Sequence, residues 1–510
     1  MTHLNKIKYC FLFFIASIGY AQEYTFQVNI SDPDPIGKQV YLASIYGHYQ
    51  TIIDSTSINE KGEFLFKFNK NNRLGGIYRI IFNQDPKAAF YNKQPQSFDI
   101  IFSATTSNRG GKTRDSSPHI SFSTSFNYLL DSMVISGSNE NKLYYDYLKK
   151  KKLYSKKLDL LEQMLRLYPK NNITDLPTID DQFYVQIQKQ YMQLQKELYA
   201  YSNKLIKKYP DAFFTKIVKL EQYPLLEASL TEEEKLDILK KQFFKPSDFQ
   251  DTMLLYSDAL PNKIIAYLGL YRNENYTEEQ QTREFIKAAN LLLTAVENST
   301  GFTPSPSGSI GVGSYVLKYV TEGFYQIKQD AVLAYIADHF LSKEACGIED
   351  EKLKKILQKT ADYKRTALGT TAPEIIFSNE KSLKINNQQR QNEISMLSAI
   401  RSEYTLLLFW ASWCPHCMNM LPELKKIYDE NKSKGLEILA ISLDEDILQW
   451  SKVIADGNYN WLNYSEFRKW ESPTARAYNV HATPVMFLLD KDKKIIAKPE
   501  TLQQLTKFLK

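Results

Sequence analysis

Residues 404–417 read Tyr-Thr-Leu-Leu-Leu-Phe-Trp-Ala-Ser-Trp-Cys-Pro-His-Cys. The apolar run Tyr404–Trp410 predicts a fully buried strand. Beyond the cysteines, Met418–Asn431 carries apolar residues at helical spacing. The pair therefore falls at a strand-to-helix turn, with Cys414 at the helix N-terminus. Backbone N–H groups without helical partners, and the positive end of the helix dipole, favour an anion there. That anion would be the Cys414 thiolate, the reactive form of the residue. Cys417, one helical turn inside, is spaced to close a disulfide with it.

Four further segments add to this one: Ala372-Pro373-Glu374-Ile375, Leu421-Pro422, Ile438–Asp444 and Ala482–Asp490, which includes Thr483-Pro484-Val485. Together these residues resemble the thioredoxin fold, most closely that of the TlpA/ResA-like envelope thiol-disulfide oxidoreductases. In that resemblance the first looks like the family's entry strand, the second like its helix-kinking proline, the third like its next parallel strand and the fourth like its cis-proline loop and following strand. The likeness covers about Ala372–Lys510. A lone CxxC is a weak signal; joined to a Thr-Pro entering a strand it is a strong one, because the two loops must meet in space.

The resemblance implies roles. Cys414 attacks, and Cys417 resolves the mixed disulfide. Trp413 flanks the sulfur. Thr483-Pro484, if cis, presents backbone beside Cys414 to an extended client peptide. Pro415 and His416 tune the pair, since cationic character near a thiolate stabilises it and makes the disulfide more oxidising. The Pro-His dipeptide resembles that of strongly oxidising disulfide-forming enzymes, whereas the rest of the module resembles the reducing branch. Both directions of electron flow stay open. Two family carboxylates are missing: Leu408 stands where thioredoxins carry a buried Asp, and Met420 where many relatives carry a Glu. Glu403, Glu423 and His481 are the nearest replacements by sequence for a base assisting Cys417.

Working outward, Lys6 and Lys8 precede an apolar run, Cys10–Ile18, and Gly19 and Ala21 occupy the −3 and −1 positions for cleavage after Ala21. This pattern predicts a signal peptide over residues 1–21, with no stable membrane span after cleavage and a periplasmic or envelope location. The chain of 510 residues has four cysteines: Cys10 leaves with the signal, two form the CxxC, and Cys346 is unpaired. No disulfide framework holds the fold, which rests on its cores. The formal charge of +6 falls to +4 when Lys6 and Lys8 leave, since no acid leaves with them. That bias is too small to suggest nucleic acid. The basic run Lys149–Lys152 reads as a solvated helix face.

Residues 22–138 read as β-rich. Thr25–Ile30, Lys38–Ile45, Gln50–Ile58, Glu63–Phe68, Ile77–Phe82 and Ser97–Phe102 are short β-branched and aromatic runs, punctuated by turns at Asp32-Pro33-Asp34-Pro35, Lys61-Gly62 and Gly75-Gly76. They predict a β-sandwich-like domain, with Asn108–Pro118 as a loop. It resembles the β domain preceding the thioredoxin module in many secreted bacterial proteins. Residues 139–365 read as helical. Ile187, Tyr191, Leu194, Leu198, Tyr201 and Leu205 form one stripe, and Leu143–Leu167 a second amphipathic stretch. The two are expected to pair as an antiparallel hairpin through Tyr168–Asp181, or to dimerise through the stripe. Thr231 followed by Glu234 predicts a capped helix start. The Gly/Ser/Pro-rich stretch Thr303–Ser314 reads as an interhelical loop: it lacks the strand and Gly-Lys-Ser/Thr of a phosphate site. Residues 366–510 complete a multidomain chain with an α/β thioredoxin-like domain.

The reading is a secreted oxidoreductase exchanging disulfides with protein thiols, and with an upstream electron donor or acceptor, through Cys414 and Cys417. No cofactor and no metal site are expected. Alternatives are a disulfide-forming oxidase or isomerase, favoured by His416, a copper-binding module using the two thiolates with His416 or His481, and a binding scaffold.

Overall fold

The computed structural model describes residues 23–31, 39–69, 75–82, 96–102, 119–167, 181–302, 311–341, 351–377, 383–384 and 395–509. The expected signal peptide, Cys10, Cys346, the Asp32–Pro35 turn, the Asn108–Pro118 loop, most of the helix-hairpin connection and most of the Thr303–Ser314 loop lie outside them. The chain divides into two compact units, Met1–Thr277 with Leu291–Val316, and Glu278–Asn290 with Leu317–Lys510.

In the first unit, strands β1 (Glu23–Ser31), β2 (Gln39–Tyr46), β3 (Tyr49–Ser57), β4 (Glu63–Asn69), β5 (Gly76–Phe82), β6 (Ser97–Phe102), β7 (His119–Ser125) and β8 (Val134–Ser136) form two four-stranded sheets, ordered β4-β1-β7-β8 and β3-β2-β5-β6. Alternating residues bury one face of each sheet. Phe26 and Phe122 on one sheet meet Phe102 and Phe98 on the other at ring-centroid distances of 6.4 and 6.0 Å. Aromatic burial of this kind supplies much of a core's apolar area. His119 is tied down structurally, with its Nδ1 2.6 Å from Thr25 Oγ1.

Helices α1 (Asn139–Leu167) and α2 (Asp181–Lys208) follow. The Lys150 ammonium lies over the Tyr201 ring, and Tyr154 donates to Glu197 at 2.8 Å, an antiparallel register. Leu165, Ile187 and Tyr191 form the buried seam. Helix α3 (Glu232–Gln242) starts with a capping box: Glu234 N–H donates to Thr231 Oγ1 at 3.2 Å, and Thr231 N–H to Glu234 Oε2 at 2.8 Å. Thr231→Ala is expected to cost about 1 kcal/mol in urea denaturation; a loss below about 0.3 kcal/mol would show the cap to be dispensable.

The second unit contains helix α4 (Glu351–Arg365) and a six-stranded sheet. Its strands are β9 (Leu383–Lys384), β10 (Tyr404–Trp410), β11 (Leu436–Ser442), β12 (Leu462–Ser465), β13 (Val485–Leu489) and β14 (Ile495–Ala497), in the order β14-β13-β10-β11-β12-β9. Strand β10 is central. It runs parallel to β11 in the register Trp410↔Ser442, and antiparallel to β13 in the register Phe409↔Val485. Leu406–Trp410 are buried, as expected of a strand covered on both faces. Ala372–Ile375 does not form the expected regular strand. Pro373 has no N–H to give to a ladder, and only isolated bridges, Thr371 to Lys494 and Ile376 to Met396, flank it. Ala372 and Ile375 nonetheless reach the core. Helices α5 (Pro415–Asn431) and α6 (Ile447–Asp456) follow β10 and β11, and α5 holds Pro422 in its interior.

Candidate functional site: a dithiol at a helix N-terminus

Cys414 is the N-cap of α5, with Pro415 in the first turn. Proline suits that position because its missing N–H would have had no helical partner. The Cys414 backbone is extended, at φ −94° and ψ 107°, and its Sγ accepts from the Cys417 N–H at 3.3 Å. A sulfur thus does the work of the usual serine or aspartate cap. The Thr483–Pro484 peptide bond is cis, and the Cys414 thiol donates to the Thr483 carbonyl at 3.4 Å. The structure therefore brings together Cys414, Cys417 and Thr483, with Pro484 adjacent. Both cysteines are free thiols.

Cys414 is not the open surface residue that its place on a turn suggests. It is 5% exposed and Cys417 is 0% exposed. The Thr483 carbonyl and the Cys417 N–H close over the Cys414 sulfur, so the exposure passes to its neighbours. Trp413, Pro415 and His416 all face solvent.

The two sulfurs are driven apart in acidity. Burial opposes the Cys414 thiolate. Hydrogen bonds from the Cys417 and Thr483 side chains and from the Cys417 and His416 backbone N–H groups outweigh it, and the pKa falls below the ordinary thiol value. Burial, and then hydrogen bonding to Cys414, push the Cys417 thiol up to about 12. The arrangement thus favours a thiolate at Cys414 and a proton on Cys417.

The three sequence candidates for a base lie at the surface. Glu403 and Glu423 are exposed, and His481 Nε2 lies 2.7 Å from Asn479 Oδ1. Leu408 and Met420 pack in or against the core. No cluster of three or more His, Cys, Asp or Glu side chains placed to hold a metal ion occurs among the described residues.

Sequence reasoning missed a buried carboxylate behind the active-site turn. Asp444 is 2% exposed. It accepts from the Ser412 N–H at 3.1 Å, from Ser412 Oγ at 2.5 Å and from Ser442 Oγ at 2.5 Å. The in-register pairing of β10 with β11 puts Ser412 and Asp444 side by side, each two residues beyond the pair Trp410 and Ser442. A polar residue two places past each of two neighbouring parallel strands was the available signal. Trp470 was missed as well. Its ring meets that of Trp413 edge to face, with centroids 5.9 Å apart.

A buried central strand, a dithiol at the following helix N-terminus and a cis-proline loop beside it define a thioredoxin-like domain, and the family model described as Thioredoxin-like matches residues 402–495. The thiol-disulfide oxidoreductase ResA of Geobacillus kaustophilus is 29% identical over 155 residues, which span 30% of this chain and 79% of that protein. ResA of Bacillus anthracis is 26% identical over 153 residues, spanning 29% and 81%. A solved structure, a thiol-disulfide oxidoreductase from Bacteroides fragilis, is 31% identical, covering 28% of this chain and 100% of that one, with a TM-score of 0.23. The C-terminal module is a ResA-like thiol-disulfide oxidoreductase of the thioredoxin-like class.

Proposed function

We propose that the protein exchanges disulfides with protein clients outside the cytoplasm, through Cys414 as nucleophile and Cys417 as resolving thiol. The observation that carries this reading is geometric: the Cys414 sulfur caps the α5 N-terminus on the Cys417 N–H, beside the Thr483 carbonyl and next to a fully buried partner thiol, and the lowered Cys414 and raised Cys417 pKa agree with it. In the reducing direction the Cys414 thiolate attacks one sulfur of a client disulfide. A mixed disulfide forms and the first client thiolate leaves. Cys417 then gives up its proton and attacks the Cys414 sulfur, the second client thiolate leaves, and the Cys414–Cys417 disulfide forms. Two protein thiols are oxidised and one client disulfide becomes two thiols. The reverse sequence oxidises a client. Trp413, Pro415, His416, Thr483 and Pro484 form the rim against which the client lies.

Export with cleavage after Ala21 rests on the N-terminal sequence. No helix among the described residues is long and apolar enough to cross a membrane. The β-rich segment 22–138 and helical segment 139–365 would present the module at 366–510 to its partners. Exposed Leu153 and Leu160 on α1 offer a face for pairing of two copies.

Alkylation of the reduced protein against pH tests the acidity split. A depressed Cys414 pKa means that its thiolate persists as pH falls, so the rate should reach half its maximum below the ~8.5 of a free thiol. Cys417 should stay unmodified until the protein is denatured. A midpoint at or above ~8.5 would remove helix-end activation. Equilibration with glutathione gives the direction of electron flow: a potential near roughly −270 mV marks a reductase, and one near roughly −120 mV an oxidase.

A further inference from the structure

A pair of half-exposed indoles stands at the rim of the dithiol, and the exchange mechanism above uses only one of them, Trp413. Trp413, the residue before Cys414, is 46% exposed, and Trp470 is 37% exposed. They come from segments far apart in sequence, yet their rings pack edge to face at 5.9 Å and 69°. Large apolar side chains left half in water beside a reactive group are costly unless something covers them during function. Lys469 occupies part of this surface: its ammonium lies 5.6 Å from the Trp413 ring centroid and pairs with Glu445 at 3.6 Å. The pairing meets the ammonium's charge, so what the two indoles still present is aromatic. Ile447 and Leu448, which follow Glu445 and Asp446 in the chain, are exposed too, at 38% and 77%.

The backbone is bent to make this contact. Phe467 and Lys469 both sit in the left-handed region, at φ 52° and 48°. Neither is glycine, and such a conformation persists only where surrounding structure enforces it. At Phe467 the core supplies the reason, because its ring packs on buried Trp450 at 5.3 Å. The Lys469 side chain is instead 45% exposed. What its conformation achieves is to lay the ammonium on Trp413 and start the turn Lys469–Glu471, which carries Trp470.

We propose that Trp470 is a specificity-determining residue. With Trp413 it forms a clamp for an aromatic side chain of the client, within two residues of the cysteine that reacts with Cys414. An extended client strand running along the Thr483 loop would lay its neighbouring side chains on this rim, since side chains alternate along a strand. Aromatic pairs prefer the edge-to-face and offset geometries that two non-parallel indoles offer to a third ring. The inference rests on the exchange reading of Cys414 and names the class of client.

The test uses the full chain and two synthetic peptides closed by a disulfide, one with Phe beside the reacting cysteine and one with Ala there. Wild-type protein should reduce the Phe peptide with kcat/KM roughly three- to tenfold higher than for the Ala peptide. In Trp470→Ala that ratio should fall to about one through KM, while Trp470→Phe should keep most of it. A merely structural role would lower both rates together and leave the ratio alone. Retention of the wild-type ratio in Trp470→Ala, or a ratio of one in the wild type, overturns the clamp while leaving the exchange reading standing. Inactivity of the wild type toward both peptides sinks the exchange reading and the clamp with it.

Discussion

Cys414→Ser is expected to lower thiol–disulfide exchange by roughly 10⁴-fold or more, the scale seen when a covalent nucleophile is removed. The hydroxyl that replaces the thiol stays protonated at neutral pH, so the hydrogen bonds from Cys417, Thr483 and His416 find no anion to stabilise. Cys417 does not take over, because it is fully buried, and burial, the largest cause of its raised pKa, persists in the variant. Cys417→Ser should behave in the opposite way. The nucleophile remains at the helix end and still attacks, but the mixed disulfide has no internal thiol to release it. Client adducts should accumulate, visible as mass-shifted, reductant-sensitive species, and mass spectrometry would name the client. Should Cys414→Ser exchange at the wild-type rate, the assignment of the nucleophile is lost. Were Cys417→Ser to turn over without adducts, another group would be resolving the intermediate.

The cysteines, the Thr-Pro loop and the helix carrying Pro422 were legible because each is announced by its own short stretch of chain. An apolar run long enough for one strand, a CxxC and a helical pattern follow one another without interruption between Tyr404 and Asn431. The first six strands and the α1–α2 hairpin could be read for the same reason: their periodicities are local. Strand β7 went unread although Ile120, Phe122 and Thr124 alternate inward, since its outward positions are mostly serine and no β-branched run announces it. Features made by two distant segments were harder. Asp444 meets Ser412 only because β10 and β11 pair in one register. Trp470 meets Trp413 only because a left-handed Lys469 turns the chain back. Neither register nor a strained turn is written in local residue preference. The covering of Cys414 is hard to read for a related reason: a turn is an exposed place by default, and the carbonyl that covers the sulfur arrives from residue 483.

Asp444→Ala is expected to destabilise the second unit by about 3 kcal/mol, a large fraction of a domain's stability, and to slow exchange as well. Its carboxylate oxygens accept one N–H and two hydroxyl bonds, from Ser412 and Ser442, in a site closed to water. Alanine would strand those donors, and each unsatisfied buried donor costs about 1–3 kcal/mol. Ser442→Ala removes one donor and leaves the carboxylate its two bonds from Ser412, so a loss of about 1 kcal/mol is expected. Asp444→Asn keeps the volume but turns an amide NH₂ toward donors, so it should sit between the two. Ser412 is two residues before Cys414, and the Cys414 N–H is itself fixed on the Ala411 carbonyl at 3.1 Å. A loosened Ser412 would therefore relax the turn that holds the sulfur against Thr483 and the Cys417 N–H. The alkylation midpoint of Cys414 should move up toward the free-thiol value in Asp444→Ala, and less in Ser442→Ala. Urea denaturation gives the first quantity and alkylation the second. An Asp444→Ala protein as stable as the wild type, with an unmoved midpoint, would show that the carboxylate neither holds the turn nor sets the acidity of the sulfur.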